Sequence, residues 1–265
     1  MTVAIKTREQ IEKMREAGKL AVNVLEMIEP YVKPGITTNE LDAICHRFMV
    51  DELKAKPAPL GYHGFPKSIC TSPNRVVCHG IPDDKPIKDG DILNIDVSLS
   101  RDGVFADTCK MFFVGDCSIQ AKRIVKCAQE CTYAGISVVG PGVSLREIGK
   151  AIDKQARLYG YSVVREFCGH GIGEALHEEP QILHYDNPSS EKTILQPGMT
   201  FTIEPMINVG KKEVKVLSDG WTVVTKDRSL SAQYEHTILI TETGFEILTL
   251  RKEESMAEIY EFAKK

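Results

Sequence analysis

The chain is 265 residues long, 42% hydrophobic, and carries a formal charge of −4 with a pI near 6.0. Such a chain can bury a sizeable core in one large or two small domains, its acidic balance argues against nucleic-acid binding, which needs a basic face, and it has no apolar run of ~18 residues to span a membrane. The first fifteen residues lack a signal-type apolar segment, and eight cysteines without a Cys-x-x-Cys pair fit neither a zinc knuckle nor a disulfide framework, reading instead as reduced thiols of a cytoplasmic protein.

Residues 7–31 predict an amphipathic helix: Thr7 and Gln10 form a capping box, and Ile11, Met14, Ala17, Ala21, Val24, Leu25 and Ile28 recur at helical spacing. Pro34-Gly35 ends that unit, and a second capping box, Thr37 with Glu40, starts a helix lined by Leu41, Ile44, Cys45, Phe48 and Met49. Residues 56–67 read as a loop rich in Pro, Gly and ring side chains, followed by short strands around Cys70 and Val76-Val77, a loop from His79-Gly80, and a hairpin over 91–114. The order then repeats. Residues 119–139 are helical, Pro141-Gly142 interrupts, and Ser144 with Glu147 caps a helix that stops at Gly160. Strands are expected at 161–167 and, after a long loop, at 200–207. A hairpin over 213–226 turning at Asp219-Gly220, strands at 233–240 and 245–250, and a frayed helix at 256–265 complete the chain.

The hairpin carries the first chemical signal. Leu93, Ile95, Val97 and Leu99 alternate with Asn94, Asp96 and Ser98. A two-residue loop at Arg101-Asp102 would put Asp96 opposite Asp107; a loop at Asp102-Gly103 would put Asp107 opposite Ser98, diagonal to Asp96. Either leaves both carboxylates on one face, whereas a three-residue loop separates them. Neighbouring like charges repel, so a cation is expected between them.

An internal repeat adds two more carboxylates. The segment from Pro34 to Leu41 matches that from Pro141 to Ile148 at an offset of 107, and Gly90 to Asp96 matches Gly198 to Glu204 at 108. The near-identical offsets imply two similar halves about a pseudo-two-fold axis, with Glu204 standing where Asp96 stands. Glu235 lies on the last strands as Asp107 does on the first. Acidic residues inside apolar strands are costly unless ligated. With His170 on a Gly-rich turn, Asp96, Asp107, Glu204 and Glu235 are too anionic for one zinc ion and suit two divalent ions.

The motifs Cys78-His79-Gly80-Ile81-Pro82, Asn94-Ile95-Asp96-Val97, Asp107-Thr108, Cys168-Gly169-His170-Gly171-Ile172-Gly173, His177-Glu178-Glu179-Pro180, Thr202-Ile203-Glu204-Pro205 and Gln233-Tyr234-Glu235-His236-Thr237 closely resemble those of the type I methionine aminopeptidases, over about residues 3–252. The resemblance implies an α/β pita-bread fold, a curved antiparallel sheet covered by helices, forming one catalytic domain over 1–265 with halves of about 5–114 and 115–252. It implies that Asp96, Asp107, His170, Glu204 and Glu235 ligate two divalent ions (Co2+, Mn2+, Fe2+ or Zn2+). Asp107 and Glu235 would bridge them, Glu204 would also act as general base, His79 would bond the scissile amide, and His177 would stabilise the oxyanion.

The resemblance further places the methionine side chain among Tyr62, Phe65, Cys70, His79, Leu176 and Trp221, and a monovalent cation, Na+ or K+, near Asn74, Val76 and Ser231. Relatives often carry Cys at Pro59, Tyr at Phe65 and Phe at Leu176. The implied substrates are nascent polypeptides with N-terminal methionine and a small second residue, met at the ribosome by a cytoplasmic monomer through its catalytic domain. A proline-specific peptidase of the same fold and a catalytically inactive binding module are the alternatives. His46, His63, His184 and His236 have no expected role, and Cys70 and Cys78 read as small hydrophobes.

Overall fold

The computed structural model describes residues 3–262. Helix α1 (Arg8–Ile28) starts at the expected Thr7–Gln10 capping box and buries Met14, Ala17, Ala21, Val24, Leu25 and Ile28 along one stripe, before a 3-10 turn at Glu29–Tyr31. Helix α2 (Thr38–Arg47) carries the second box, Thr37 with Glu40, and runs into a π-turn at Phe48–Glu52. Each box pairs two amides that a helix end otherwise leaves open, a gain of about 1 kcal/mol. A short strand β1 (Lys56–Pro57) and a 3-10 turn at Tyr62–Gly64 interrupt the expected loop. Strands β2 (Cys70–Pro73) and β3 (Val76–Cys78) follow, and the hairpin is β4 (Ile92–Arg101) with β5 (Val104–Phe113).

The second half opens with α3 (Ile119–Ser137) and α4 (Leu145–Tyr159), the latter stopped by Gly160 at φ 74°. Strands β6 (Ser162–Val163), β7 (Gly169–Gly171), β8 (Glu178–Ile182), β9 (Thr200–Ile203) and β10 (Met206–Asn208) come next. They are followed by β11 (Val214–Val216), β12 (Val223–Thr225), β13 (Ser231–Gln233), β14 (His236–Ile240), β15 (Phe245–Ile247) and α5 (Met256–Phe262).

The pairing is antiparallel throughout the described strands: β1-β4-β2 with β5 on β4, β15-β14-β9-β7-β8, and two three-stranded pieces, β13-β10-β6 and β11-β12-β3. This is the pita-bread architecture. Helices α1 and α2 cover the apolar side of the hairpin, where Leu93, Ile95, Val97 and Leu99 join their core. Helices α3 and α4 cover β9 and β14 through Phe201, Ile203, Ile238 and Ile240. The two halves meet where β5 lies against β13 and β14.

The repeat is visible in the hydrogen bonds. Gly35 N donates to Ile87 O (2.8 Å) and Gly142 N to Leu195 O (2.9 Å). Thr37 bridges to Pro86, and Ser144 to Ile194. Gly35 and Gly142 sit at φ 96° and 86°, left-handed turns that favour glycine. The same turn–helix–strand unit is thus built twice.

Several expectations need correction. Ser144 caps α4 through Arg146 N, not through a reciprocal box, because Glu147 pairs with Lys150 instead. The strand expected at 161–167 is only two residues long, since exposed Arg165 and Glu166 leave the sheet edge. The long loop after it contains β7 and β8, whose Gly-rich or polar sequence signals no strand by itself; β7 pairs with β9, and β8 pairs with β7 at the sheet edge. The 200–207 strand breaks at Glu204-Pro205, where proline has no amide to donate, and 233–240 breaks opposite it at Tyr234-Glu235. The helix at 256–265 docks on α3 with Ile259 buried, instead of fraying, and its last three residues lie outside the described ones.

Candidate active site

The floor of the site is the hairpin. Asp102 and Gly103 both have positive φ, 52° and 83°, the signature of a type I′ turn. Ser98 therefore faces Asp107 and Asp96 faces Cys109, so the two carboxylates are diagonal neighbours on the polar side. Ser98 Oγ donates to Asp107 Oδ1 at 2.8 Å. The second half is laced to this strand at the same residues. Thr237 Oγ1 donates to Asp107 O at 2.7 Å, Thr108 Oγ1 to Glu235 O at 2.8 Å, and Glu235 N to Cys109 O at 3.1 Å.

Glu204 and Glu235 come from the two strand breaks. His236 pairs with Ile203 and Met206 with Gln233, so Glu204 and Glu235 oppose each other across the gap. Register makes Glu204 the counterpart of Asp96, as the repeat predicts. Glu235, however, answers to Cys109, two residues from Asp107; it matches Asp107 in face and not in register. The breaks free both carboxylates from strict alternation. Glu204 Oε1 accepts from Thr202 Oγ1 (2.7 Å) and Oε2 from Gln233 Nε2 (3.2 Å).

His170, on β7, closes the cluster. Its Nε2 lies 3.6 Å from Glu204 Oε1 and 3.7 Å from Asp107 Oδ2, while Nδ1 is 3.0 Å from Gly171 O. Burial, with His177 adding to it, lowers its pKa to about 3, so the ring is neutral. Nδ1 must then hold the proton for the carbonyl, and the Nε2 lone pair faces two carboxylates.

The residues fit a pair of cations. Burial pushes all four carboxyls up, and repulsion by neighbouring carboxylates adds to the rise for Asp96, Glu204 and Glu235. None of the four is paired with a Lys or Arg among the described residues; the ion contacts of the cluster are with His170. Asp96 Oδ1 and Glu235 Oε1 are buried without a partner. Ligand atoms of Asp107, His170 and Glu235 lie within 4.8 Å of one another, with Asp96 and Glu204 flanking them. Four negative charges around one imidazole call for about two dications.

The cluster is the end wall of a cleft of about 480 Å3, and every residue expected in the methionine pocket lines it, Tyr62, Phe65, Cys70, His79, Leu176 and Trp221, together with His177. Phe65 meets Trp221 edge-on at 5.2 Å, and an Asp219 turn accepting from Trp221 N and Thr222 N fixes the indole. His79 adopts φ 54°, and burial lowers its pKa to about 4. His177 is exposed at the mouth, its Nδ1 2.6 Å from Tyr62 Oη. Cys70 and Cys78 are buried, which pushes both thiols up and leaves them poor nucleophiles. Away from the cleft, Ser231 N donates to Asn74 O at 2.9 Å, and Val76 follows on β3, which packs beside β13.

Of the remaining histidines, His46 bonds Ser68 and His63 meets Tyr62 edge-on. His236 points away from the cluster toward Thr249 and Glu254, as alternation requires. His184 does have a part: buried and neutral, its Nε2 accepts Glu204 N at 3.2 Å and holds the strand break. Ser98, Gln233 and the wholly buried Arg251 also act on the cluster unexpectedly. Arg251 donates to Thr108 Oγ1 (3.1 Å) and Cys109 O (3.2 Å). Only the buried-looking position of an arginine after an apolar strand could have pointed to it.

The family model of metallopeptidase family M24 matches residues 12–242. Methionine aminopeptidase of Escherichia coli (strain K12) is 60% identical over 260 residues, 98% of each chain. The enzyme of that name from Haemophilus influenzae is 59% identical over 256 residues, 96% of this chain and 95% of its own. The crystal structure of methionine aminopeptidase from Rickettsia prowazekii superimposes with a TM-score of 0.91 at 51% identity, over 94% of this chain and 100% of that one. Agreement this extensive in sequence, together with the shared fold, establishes that the chain belongs to metallopeptidase family M24.

Proposed function

We propose that the chain is a methionyl aminopeptidase, removing an N-terminal methionine when the second residue is small. The observation that carries this reading is a cleft with an apolar, sulfur-lined end running into a carboxylate cluster that demands cations. In this reading Asp96, Asp107, His170, Glu204 and Glu235 would hold two divalent ions. When bound, the ions neutralise the cluster and make water a nucleophile near neutral pH.

The side chains supply the rest. Glu204, oriented by Thr202 and Gln233, takes the proton of the attacking water. Neutral His79 and His177 donate N–H bonds, His79 to the scissile amide and His177 to the carbonyl oxygen as negative charge develops on it. Tyr62, Phe65, Cys70, Leu176 and Trp221 enclose the unbranched thioether, which sulfur–aromatic contact favours. The second residue lies between His79 and the carboxylates, which leaves room for Ala, Gly or Ser.

The reading extends to a monovalent Na+ or K+ at Asn74, Val76 and Ser231, supported by the buried, unpartnered Ser231 Oγ. It also places the enzyme in the cytoplasm as a monomer acting on nascent polypeptides at the ribosome; no described helix is long and apolar enough to cross a membrane. Residues 1–265 would act as one catalytic domain. Elemental analysis of protein purified without added metal identifies the resident ion. Comparing kcat/KM for Met-Ala-Ser, Met-Lys-Ser, Leu-Ala-Ser and Ala-Pro tests the activity: Met-Ala-Ser should be cleaved well and the others poorly. Equal rates for the Met and Leu peptides defeat the pocket, and preference for Ala-Pro returns the proline-specific alternative.

A further inference from the structure

His177 is the last residue of the turn joining β7 to β8, exposed to solvent, with Tyr62 Oη as its hydrogen-bond partner. That turn must therefore be held from elsewhere if His177 is to keep its aim. On one side Phe105 N donates to Gly173 O at 2.8 Å, tying the turn to the strand that carries Asp107. On the other side stands Glu178. Its Oε1 accepts from Ala175 N at 3.1 Å, closing the turn on itself, and its Oε2 is 2.5 Å from Lys6 Nζ.

Lys6 is an unusual partner. Its side chain is 3% exposed, and a Cβ on Gly173 would overlap its Cε. A lysine is seldom buried this far, because its charge loses water and its long stem loses rotamers. Its backbone is fixed as well: Lys6 N donates to Gly198 O at 2.8 Å, and the next residue is the capped start of α1. The segment that leads into the first helix is therefore joined through one ammonium group to the residue that follows His177.

We propose that Lys6 is a positioning residue whose ion pair with Glu178 holds the 173–178 turn, and so His177, over the carboxylate cluster. The inference rests on the reading that His177 serves the substrate carbonyl. Lys6 touches neither substrate nor cluster. Its effect is transmitted through Glu178 and the turn.

The test uses full-length enzyme loaded with Mn2+ and Met-Ala-Ser as substrate. Lys6→Met alone leaves a half-buried carboxylate without its counter-charge and can destabilise the chain, so the decisive variant is the double Lys6→Met/Glu178→Gln, which removes both charges and keeps both shapes. It should bind Mn2+ with an affinity within about 2-fold of wild type by calorimetry. Its kcat should fall about 10-fold or more while KM changes little, as expected of a misaimed group. The loss should vanish in a His177→Ala background, because there is then nothing left to aim. In the metal-free protein the His177 imidazole resonances should move in the double variant and those of His46 should not. Wild-type kcat in the double variant, or a loss that persists undiminished beside His177→Ala, overturns the proposal. Failure of the wild-type enzyme to cleave Met-Ala-Ser would instead strike the proposed activity itself.

Discussion

Glu204 is bonded at both carboxylate oxygens, so its charge can be removed while its shape stays. Glu204→Gln should fold normally, with a Tm close to wild type, yet lose about 10²–10⁴-fold in kcat, the range for a lost general base. Near-wild-type turnover at full metal loading would remove Glu204 from that role. Chelation with EDTA should abolish activity and lower the Tm, because ions bound only by the folded state stabilise it by mass action; added Mn2+ should restore both. A Tm indifferent to EDTA would contradict the need of the buried carboxylates for a counter-cation. At this scale the sequence was most legible where residues recur: Asp96 and Glu204 stand at matching points of a repeat. His184, Gln233 and Ser98 were not legible, since each matters through a contact that only the folded chain creates.

The β4–β5 hairpin sets the spacing of Asp96 and Asp107, and its turn sets the register. Gly103 sits at φ 83°, where a side chain is disfavoured by roughly 1–2 kcal/mol. Gly103→Val should therefore lower the Tm by a few degrees while the long ladder keeps its pairing and Mn2+ affinity stays nearly unchanged. Inserting one residue at the turn is a different matter, because a slip of one exchanges the faces of a strand; that variant should lose Mn2+ binding by calorimetry. Retained binding would mean that Asp107 is not needed for it. Helices and this hairpin could be read from capping boxes, periodicity and turn residues, which are local signals. Strands β7 and β8 and the breaks at Glu204-Pro205 and Tyr234-Glu235 could not. Their form depends on partners far along the chain, and at the breaks regular pairing gives way to the placement of carboxylates.

The whole molecule is two similar halves joined where β5 meets β13 and β14, and Arg251 lies at the seam. It is 1% exposed and donates to Thr108 Oγ1, Cys109 O and Glu235 O, behind the carboxylates of both halves. Its counter-charge is Glu254, 2.8 Å away, which also accepts from Tyr133 Oη at 2.7 Å. Burial alone would raise the Glu254 pKa, but His236 and Arg251 outweigh it and hold the carboxyl far below its ordinary value of 4.5. The folded chain thus binds fewer protons here than the unfolded one. The resulting stability is complete above pH 4.5 and drains away as pH falls toward the folded-state pKa. Glu254→Gln leaves Arg251 buried without its partner and should cost about 3–5 kcal/mol at pH 7, a fall in Tm on the order of 10 °C. Because the unfolded wild-type chain takes up a proton on this carboxyl below pH 4.5 while the folded chain does not, the stability gap between wild type and variant should narrow there, by up to about 1.4 kcal/mol per pH unit. Denaturant melts of both proteins from pH 7 to pH 3 measure it. A gap that stays flat over that range would show that Glu254 acts through shape and not through its charge, and the seam would then have to be held by packing alone.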